Sequence, residues 1–401
     1  MNDDSRSPAR LGFVGHINDN KFLKDIMRAL SATHEVRLAD YFDDDAVRRM
    51  VAASDVIWVE WGTDLAAKIA TLAPDKRKIL RIHSFEAFTS YPATIPFERY
   101  SDVIFVSEYI RSLVAQQVPD MEDRTRTHIV RNGVDLSRFS LKTGNNPFDI
   151  AFVAMFRHVK NIPLLLQCFA ALHARDPRYK LHIAGDFIGA EVDVNELGRY
   201  LSHIIEAMGL AGSIIFYGRI DDVHAWLADK NWIVSTSMRE AHPLNLVEGM
   251  AVGLRPVVHN YPAAREVFDA EYVFNTVDQF VEMVLTSECR PERYREFVEC
   301  NFPLDGQMEH IARILALGWD AGSGAARGAA RSAAPSADGR REERGAAGAP
   351  APGLVDADAP ENRRVRSLLN LAEHYRRRGE EAKSEEYLAQ ARALMGKGPL
   401  S

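Results

Sequence analysis

From Leu11 to Phe274 the chain repeats one pattern, a short apolar run followed by a stretch with apolar residues at helical spacing. In the first half the candidate strands are Leu11–Val14, Glu35–Leu38, Val56–Glu60, Lys78–His83, Val103–Val106 and Thr127–Val130. Phe22–Leu30, Asp45–Ala53 and Ser107–Gln117 read as helices between them. The second half offers Asp149–Met155, Lys180–Ala184, Ile214–Tyr217, Trp232–Ser235, Pro256–His259 and Tyr272–Phe274, with helices at Ile162–Arg175 and Val194–Met208. Strands that alternate with helices predict an α/β protein with parallel sheets covered on both faces. Ligands of such sheets bind beyond the carboxyl ends of the strands.

The stretch from Glu240 to Pro256 carries the most chemistry. The apolar run Trp232–Ser237 precedes it and Pro256–His259 follows, with Leu244–Val252 helical between. Pro243 suits the first turn of that helix, Gly253 suits the position just past its end, and Pro256 prevents continuation. Glu240 falls in the loop after the strand, and Glu248 follows inside the helix after seven intervening residues. Free N–H groups at a helix start suit a phosphate, whereas carboxylates suit the hydroxyls beside it. The combination fits a nucleotide sugar, with diphosphate on the helix end, Glu248 on the ribose and Glu240 on the transferred sugar. The competing reading makes Glu240 a cap and leaves Glu248 on the wet face of the helix.

Other strand ends are polar as well. Gly15-His16-Ile17-Asn18 and His83-Ser84-Phe85-Glu86 follow strands of the first half. Gly15 suits a close backbone approach or a turn. His83 ends a strand beside the predicted cleft, either as a structural histidine or as a contact to donor sugar or acceptor; His16 carries a weaker version of that argument. Asn132-Gly133 signals a turn in which Gly133 can take positive φ, followed by a short capped helix. Arg157 and Lys160 put two cations just before a helix, where they can neutralise a diphosphate or simply face solvent. Gly185-Asp186 ends another strand in a turn or a close approach to nucleotide. The first strand lacks Gly-x-Gly-x-x-Gly, which argues against a nicotinamide dehydrogenase.

A chain of 401 residues has room for two or three domains. With 46% hydrophobic and 26% charged residues the composition is globular, and a net charge of −7 gives no argument for nucleic acid. Cys168, Cys289 and Cys300 have no metal or redox spacing, so neither a metal site nor a disulfide framework is expected and a reducing compartment fits. The start lacks the apolar core of a signal peptide, and no run is long enough to span a bilayer. The expectation is a cytoplasmic protein, with peripheral contact at the inner face of a membrane left open. Lys142–Pro147 reads as an exposed linker. Composition breaks again at Ala321–Pro360, rich in Ala, Gly, Pro, Ser and Arg, which predicts a flexible linker. The expected domains are 1–146, 147–319 with its last helices returning towards the first, a linker at 320–360, and a helical hairpin at 361–401. The hairpin is similar to one tetratricopeptide repeat, too small to bury its own apolar face, so it predicts packing on the body of the protein, self-association or a protein partner.

Taken in order, these motifs resemble retaining glycosyltransferases of family four, whose GT-B architecture sets two Rossmann-like domains across a cleft. Asn132-Gly-Val-Asp135 with Phe139 looks like the family's entry into its second domain. Lys160-Asn161 looks like its phosphate-binding segment, and Glu240 to Pro256 looks like its signature. Arg265-Glu266 sits where the family has a further acidic position near the donor. Three departures stand out: Met155 where an arginine is usual, Ala241-His242-Pro243 after the first glutamate, and Gly15 alone in place of a glycine pair.

The resemblance implies retaining, metal-independent transfer of a hexose from a nucleotide-diphosphate sugar, which is a substrate, so no cofactor is needed. The acceptor would be a saccharide, a lipid-linked saccharide or a protein. Lys160, Arg157, Glu240 and His83 would act in catalysis. Glu248, Leu244, Asn245, His242, Gly15 and Glu266 would hold the donor, Leu244 and Asn245 through backbone N–H groups. The alternatives are a GT-B protein that binds sugar nucleotide or a partner with little catalysis, and a nucleotide-sugar epimerase of the same fold.

Overall fold

Each run read as a strand pairs in parallel with a neighbour, and the strands sort into two sheets. The computed structural model describes residues 9–16, 21–142, 146–186 and 191–319, and five isolated helical positions, Glu381, Glu385, Leu388, Ala389 and Arg392. The linker and most of the terminal hairpin therefore lie outside the described residues. The chain divides into two compact units, residues 1–187 with 203–335, and residues 188–202 with 336–401. Both sheets belong to the first unit.

The first half runs β1 (Arg10–Gly15), α1 (Lys21–Leu30), β2 (Glu35–Asp40), α2 (Asp44–Ala53), β3 (Val56–Glu60), α3 (Asp64–Leu72) and β4 (Arg77–Ile82). After three short helical turns it continues with β5 (Asp102–Phe105), α4 (Glu108–Gln117), α5 (Met121–Arg124) and β6 (Arg126–Ile129). The sheet order is β2-β1-β3-β4-β5-β6. Helix starts follow their local chemistry: Asp43, Thr63 and Ser107 each accept a backbone N–H of the first turn of α2, α3 and α4. Gly12 and Gly15 lie within β1 rather than after it. A Cβ on Gly12 would meet Met50 Sδ at 2.0 Å, so α2 packs directly on that strand.

The second half runs β7 (Asp149–Val153), α6 (Ile162–Arg175), β8 (Lys180–Ala184), α7 (Glu191–Ala207), β9 (Ile214–Gly218) and α8 (Val223–Leu227). It continues with β10 (Trp232–Ser235), α9 (Leu244–Val252), β11 (Arg255–His259), β12 (Val273–Phe274), α10 (Val277–Thr286), α11 (Pro291–Asn301) and α12 (Leu304–Ala316). Its order is β12-β11-β10-β7-β8-β9. In both sheets the order reverses once, between β1 and β3 and between β7 and β10. A crevice opens at each reversal, where neighbouring connections leave in opposite directions. Among the described residues no helix is long and apolar enough to cross a membrane.

Asn132-Gly133 does not form the expected turn and capped helix. Gly133 is absent from the positive-φ glycines, and residues 135–139 make turns without a helix. The glycine is needed for space: Val134 bridges to Pro303, and a Cβ on Gly133 would lie 2.6 Å from Leu304 Cα. Lys142 is not loose linker either, since its ammonium donates to the Lys230 carbonyl at 2.7 Å and to Asn231. Helix α12 packs on the first half, where Ile311 and Ile314 join the cluster of Leu11, Phe13 and Ile79. Arg77 fixes its end by donating to the carbonyls of Ile314 and Leu315 at 2.6 and 2.7 Å.

Gly133→Ala should therefore destabilise the fold by about 1–3 kcal/mol, the cost of overpacking against backbone that cannot move aside. Urea unfolding would show this as a lower midpoint; an unchanged midpoint would mean that the crossing yields.

Candidate active site

The second crevice gathers the sequence-predicted cations and carboxylates. Strand β7 delivers the segment from Met155 to Asn161, and its neighbour β10 delivers the segment from Thr236 to Pro243. The two are stitched together: Met238 N–H donates to the Val159 carbonyl at 2.8 Å, and Thr236 Oγ1 to the Lys160 carbonyl at 3.0 Å. The stitching brings Lys160 Nζ to 2.5 Å from Glu240 Oε1, which also accepts from Ser237 Oγ at 2.8 Å. Both partners are partly buried, with side chains 21% and 14% exposed, so their attraction is little screened. Glu240 thus does not cap α9; the N-cap is Pro243, whose side chain makes no capping bond.

Two helix N-termini open at this crevice. Asn161 precedes α6 in the left-handed region at φ 49°, which asparagine tolerates, and its side chain makes no capping bond. In α9 the first intrahelical donors are Leu246 and Val247, both to the Pro243 carbonyl, which leaves the N–H groups of Leu244 and Asn245 available to an anion. The Asn245 side chain is committed, donating to the Val153 carbonyl at 2.8 Å and fixing α9 to the end of β7. Helix α9 is anchored through Leu246, Val247, Met250, Ala251 and Val252, all buried, and lies so close to β10 that a Cβ on Gly249 would meet Ile233 at 2.6 Å. Gly253 ends it at φ 95°.

Glu248 does not face open water. It is half-buried, and burial pushes its carboxyl up to about 7, with Lys21 and Arg138 pulling down and Asp25 pushing up. Lys21 and Asp25 belong to α1, so Glu248 looks across at the first half. Arg157 is exposed, as is Met155 at 37%. His242 is buried edge-on to Phe302, ring centroids 4.7 Å apart, with neither ring nitrogen bonded. Burial pushes it down to about 3, so it is neutral at ordinary pH. Glu266 is exposed, and its carbonyl accepts from Arg131 at 3.2 Å. Gly185 makes a close approach to the chain: at φ 131° a Cβ would lie 1.7 Å from the Ala154 carbonyl oxygen.

On the first half, His83 Nε2 lies 2.6 Å from Glu60 Oε1, and its backbone N–H donates to Glu86 at 3.1 Å. Its ring sits between Trp61 and Phe22, at 4.3 and 4.8 Å between centroids. Glu60 is buried, yet Arg81 and His83 outweigh the cost of burial and hold it below the ordinary carboxylate range. The Glu60 carboxylate can only accept, so Nε2 of His83 carries the proton. Gly15 closes β1 beside Leu23, whose Cδ1 lies 3.2 Å from where a Cβ would be. Sequence reasoning missed Glu60, Trp61, Ser237, Arg239 and Tyr261. Tyr261 has a buried, unbonded hydroxyl and feels the charges of Glu240 and Glu266.

Two parallel six-stranded sheets, each with one order reversal, make the GT-B arrangement of glycosyltransferases. Residues 134–298 match the family model described as Glycosyl transferases group 1. The putative glycosyltransferase EpsF of Bacillus subtilis (strain 168) is 27% identical over 148 residues, which is 34% of this chain and 36% of that relative's length. Anabaena Alr3699/HepE in complex with UDP superposes with a TM-score of 0.64 at 16% identity, covering 77% of this chain and 99% of that one. The pneumococcal O-GlcNAc transferase GtfA in complex with UDP and GlcNAc gives 0.55 at 14% identity, covering 67% of this chain and 58% of that one. At such identities the likeness to the solved structures establishes the fold.

The Glu248 geometry has a consequence for stability. A carboxyl raised to about 7 favours the folded state while protonated, and this contribution fades as pH rises towards and through 7. Glu248→Gln cannot ionise, so it should melt several degrees above the parent at pH 8 and close to it at pH 5. Thermal unfolding at the two pH values checks this; a gap independent of pH would place Glu248 in solvent.

Proposed function

We propose that the protein is a glycosyltransferase that moves a hexose from a nucleoside diphosphate donor to a saccharide or lipid-linked acceptor, with retained anomeric configuration and no bound metal. The observation that carries this reading is the Lys160–Glu240 pair, at 2.5 Å, set in the crevice onto which two helix N-termini open. The donor diphosphate would lie over the Leu244 and Asn245 N–H groups, with Lys160 and Arg157 beside it. Protein hydrogen bonds to Glu240 reach Oε1, which leaves Oε2 for hydroxyls of the donor sugar. Glu248 accepts from the ribose. The HepE and GtfA structures are complexes with UDP, so uridine is the first base to try.

In the transfer, the bond between the anomeric carbon and the β-phosphate oxygen breaks, and its electron pair goes to the phosphate. The acceptor oxygen bonds to the same carbon on the same face, and its proton passes to the departing phosphate. Negative charge grows on the diphosphate in this step. Fixed cations and helix-end N–H groups stabilise it more than the bound ground state, which is what acceleration requires. His83, held by Glu60 and flanked by two rings, would present the sugar with a fixed imidazole from the first half. A second reading, a binder with little turnover, draws on Met155, exposed where the resemblance expects an arginine. Slow hydrolysis of UDP-glucose by purified protein separates the two.

Glu248→Gln should weaken UDP binding by roughly ten- to a hundredfold, since a hydrogen bond to a charged group is worth about 1.5–3 kcal/mol. The parent's affinity should rise as pH increases through about 7, because only the carboxylate can accept from both hydroxyls. Lys160→Ala should lower turnover more than UDP affinity. Calorimetry and hydrolysis rates on both variants are the measurements, and an unaltered UDP affinity in Glu248→Gln removes the ribose assignment.

A further inference from the structure

The aromatic wall of the first half and one arginine of the second share a contact that the proposed chemistry does not use. Among the described residues, the exposed large hydrophobic side chains of the first half are all phenylalanines: Phe42, Phe85 and Phe88, at 44%, 37% and 44% exposure. All three follow carboxyl ends of strands, Phe42 after β2 and the other two after β4. Phe85 continues into a row of rings: its centroid is 5.5 Å from Trp61, which is 4.3 Å from His83. The row therefore runs from solvent to the histidine that faces the donor sugar in the proposed reaction.

Arg239 reaches this wall from the other half. Its guanidinium lies over the Phe88 ring, 4.5 Å from the centroid. It immediately precedes Glu240, so the contact lies beside the Lys160–Glu240 pair. Stacking occupies the face of a guanidinium and leaves its N–H edges free to donate. Arg239 is half-buried, and the carboxylates of Glu240 and Glu86 do not offset burial and the like charge of Arg157. Glu86 accepts from the N–H groups of Gly62 and His83 through Oε1, both at 3.1 Å; its buried Oε2 has no partner among the described residues, and burial pushes the carboxyl above the ordinary range. An anionic ligand at the guanidinium edge would offset the burial of Arg239.

We propose that the acceptor is an acidic saccharide, its ring laid on Phe85 and its carboxylate paired with Arg239, which Phe88 holds in place. Flat rings suit the C–H face of a sugar, whereas an acyl chain would call for exposed aliphatic side chains, and the exposed large apolar groups of this half are aromatic. A carboxylate matches the fork of a guanidinium with two parallel hydrogen bonds. This inference rests on the glycosyltransferase reading of the cleft and specifies its acceptor.

The test uses the full chain loaded with UDP and three probes: a glucuronate-containing tetrasaccharide, the same tetrasaccharide with its carboxyls reduced to alcohols, and a polyprenyl phosphate in detergent micelles. Titration should show the acidic tetrasaccharide binding about tenfold more tightly than the reduced one, the worth of one charged pair. Arg239→Gln should erase that preference, Arg239→Lys should keep part of it, and Phe85→Ala should weaken both tetrasaccharides alike. Equal binding of the two tetrasaccharides, binding of neither, or binding of the polyprenyl phosphate alone overturns the proposal. So does a tenfold loss of UDP affinity in Arg239→Gln, which would assign the guanidinium to the donor diphosphate. UDP binding by the parent is read first: its absence removes the donor reading, whereas lost acid preference with UDP binding intact removes this proposal alone.

Discussion

The cleft depends on how the chain crosses between the two halves. It crosses at residues 130–134 and returns through residues 302–304, and the two passages run side by side. Val134 N–H donates to the Phe302 carbonyl at 2.9 Å, Leu304 N–H to the Val134 carbonyl at 3.0 Å, and Gly133 N–H to Gln307 Oε1 at 2.8 Å. The neighbouring residue, Asn132, accepts from buried Arg81, which also reaches Glu60. The crossing is thus tied to the network that orients His83. A fault in the crossing would displace α12 from the first half and disturb the imidazole together.

Charge is placed on this frame at some expense in stability. Lys160 and Glu240 satisfy each other, and Glu60 is held by Arg81, His83 and the Trp58 indole N–H at 2.9 Å. Among the described residues Glu248 has no hydrogen-bonded partner of that kind, and burial outweighs the pull of Lys21 and Arg138 on its ionisation. A carboxylate left in that condition inside a well-packed helix weakens the fold above pH 7, which is common where a site is kept ready for ligand rather than for stability. The apolar contacts of α9 offset this, since fully burying one such side chain contributes about 1.5–3 kcal/mol.

Local sequence carried the elements well and the contacts between them poorly. Helix Leu244–Val252 was legible because Pro243, Gly253 and Pro256 mark its ends chemically. The parallel sheets followed from strand-helix alternation, and the cluster of Lys160 with Glu240 followed from placing each after a strand. What the sequence could not show was which strands adjoin, and therefore that β7 and β10 set those residues side by side. Gly133 was misread because a glycine that needs space and one that needs positive φ look alike without the facing backbone. Glu60 and Trp61 end a strand in an ordinary apolar run, and their partner His83 is more than twenty residues away. Arg239 gave no signal, because a lone arginine in a loop acquires meaning only from Phe88 on the opposite wall.

The two walls of the cleft are chemically unlike, and this constrains the order of events. The second half supplies cations and helix ends, groups that attract a diphosphate over a distance. The first half supplies rings and a shielded histidine, groups that act only on contact. Under the proposed function, a charged donor would be drawn to its own wall first, and in settling there it would offset Arg157 and share Lys160 with Glu240. Arg239 remains beside the Phe88 ring with its N–H edges free. The like charge of Arg157, which opposes Arg239, would then be offset by the diphosphate. The field left for a second substrate would then be set mainly by the Arg239 guanidinium. The acceptor step would then depend on stacking and on a single ion pair, both short-ranged, and so on a carboxylate placed at that guanidinium rather than on negative charge spread over the acceptor.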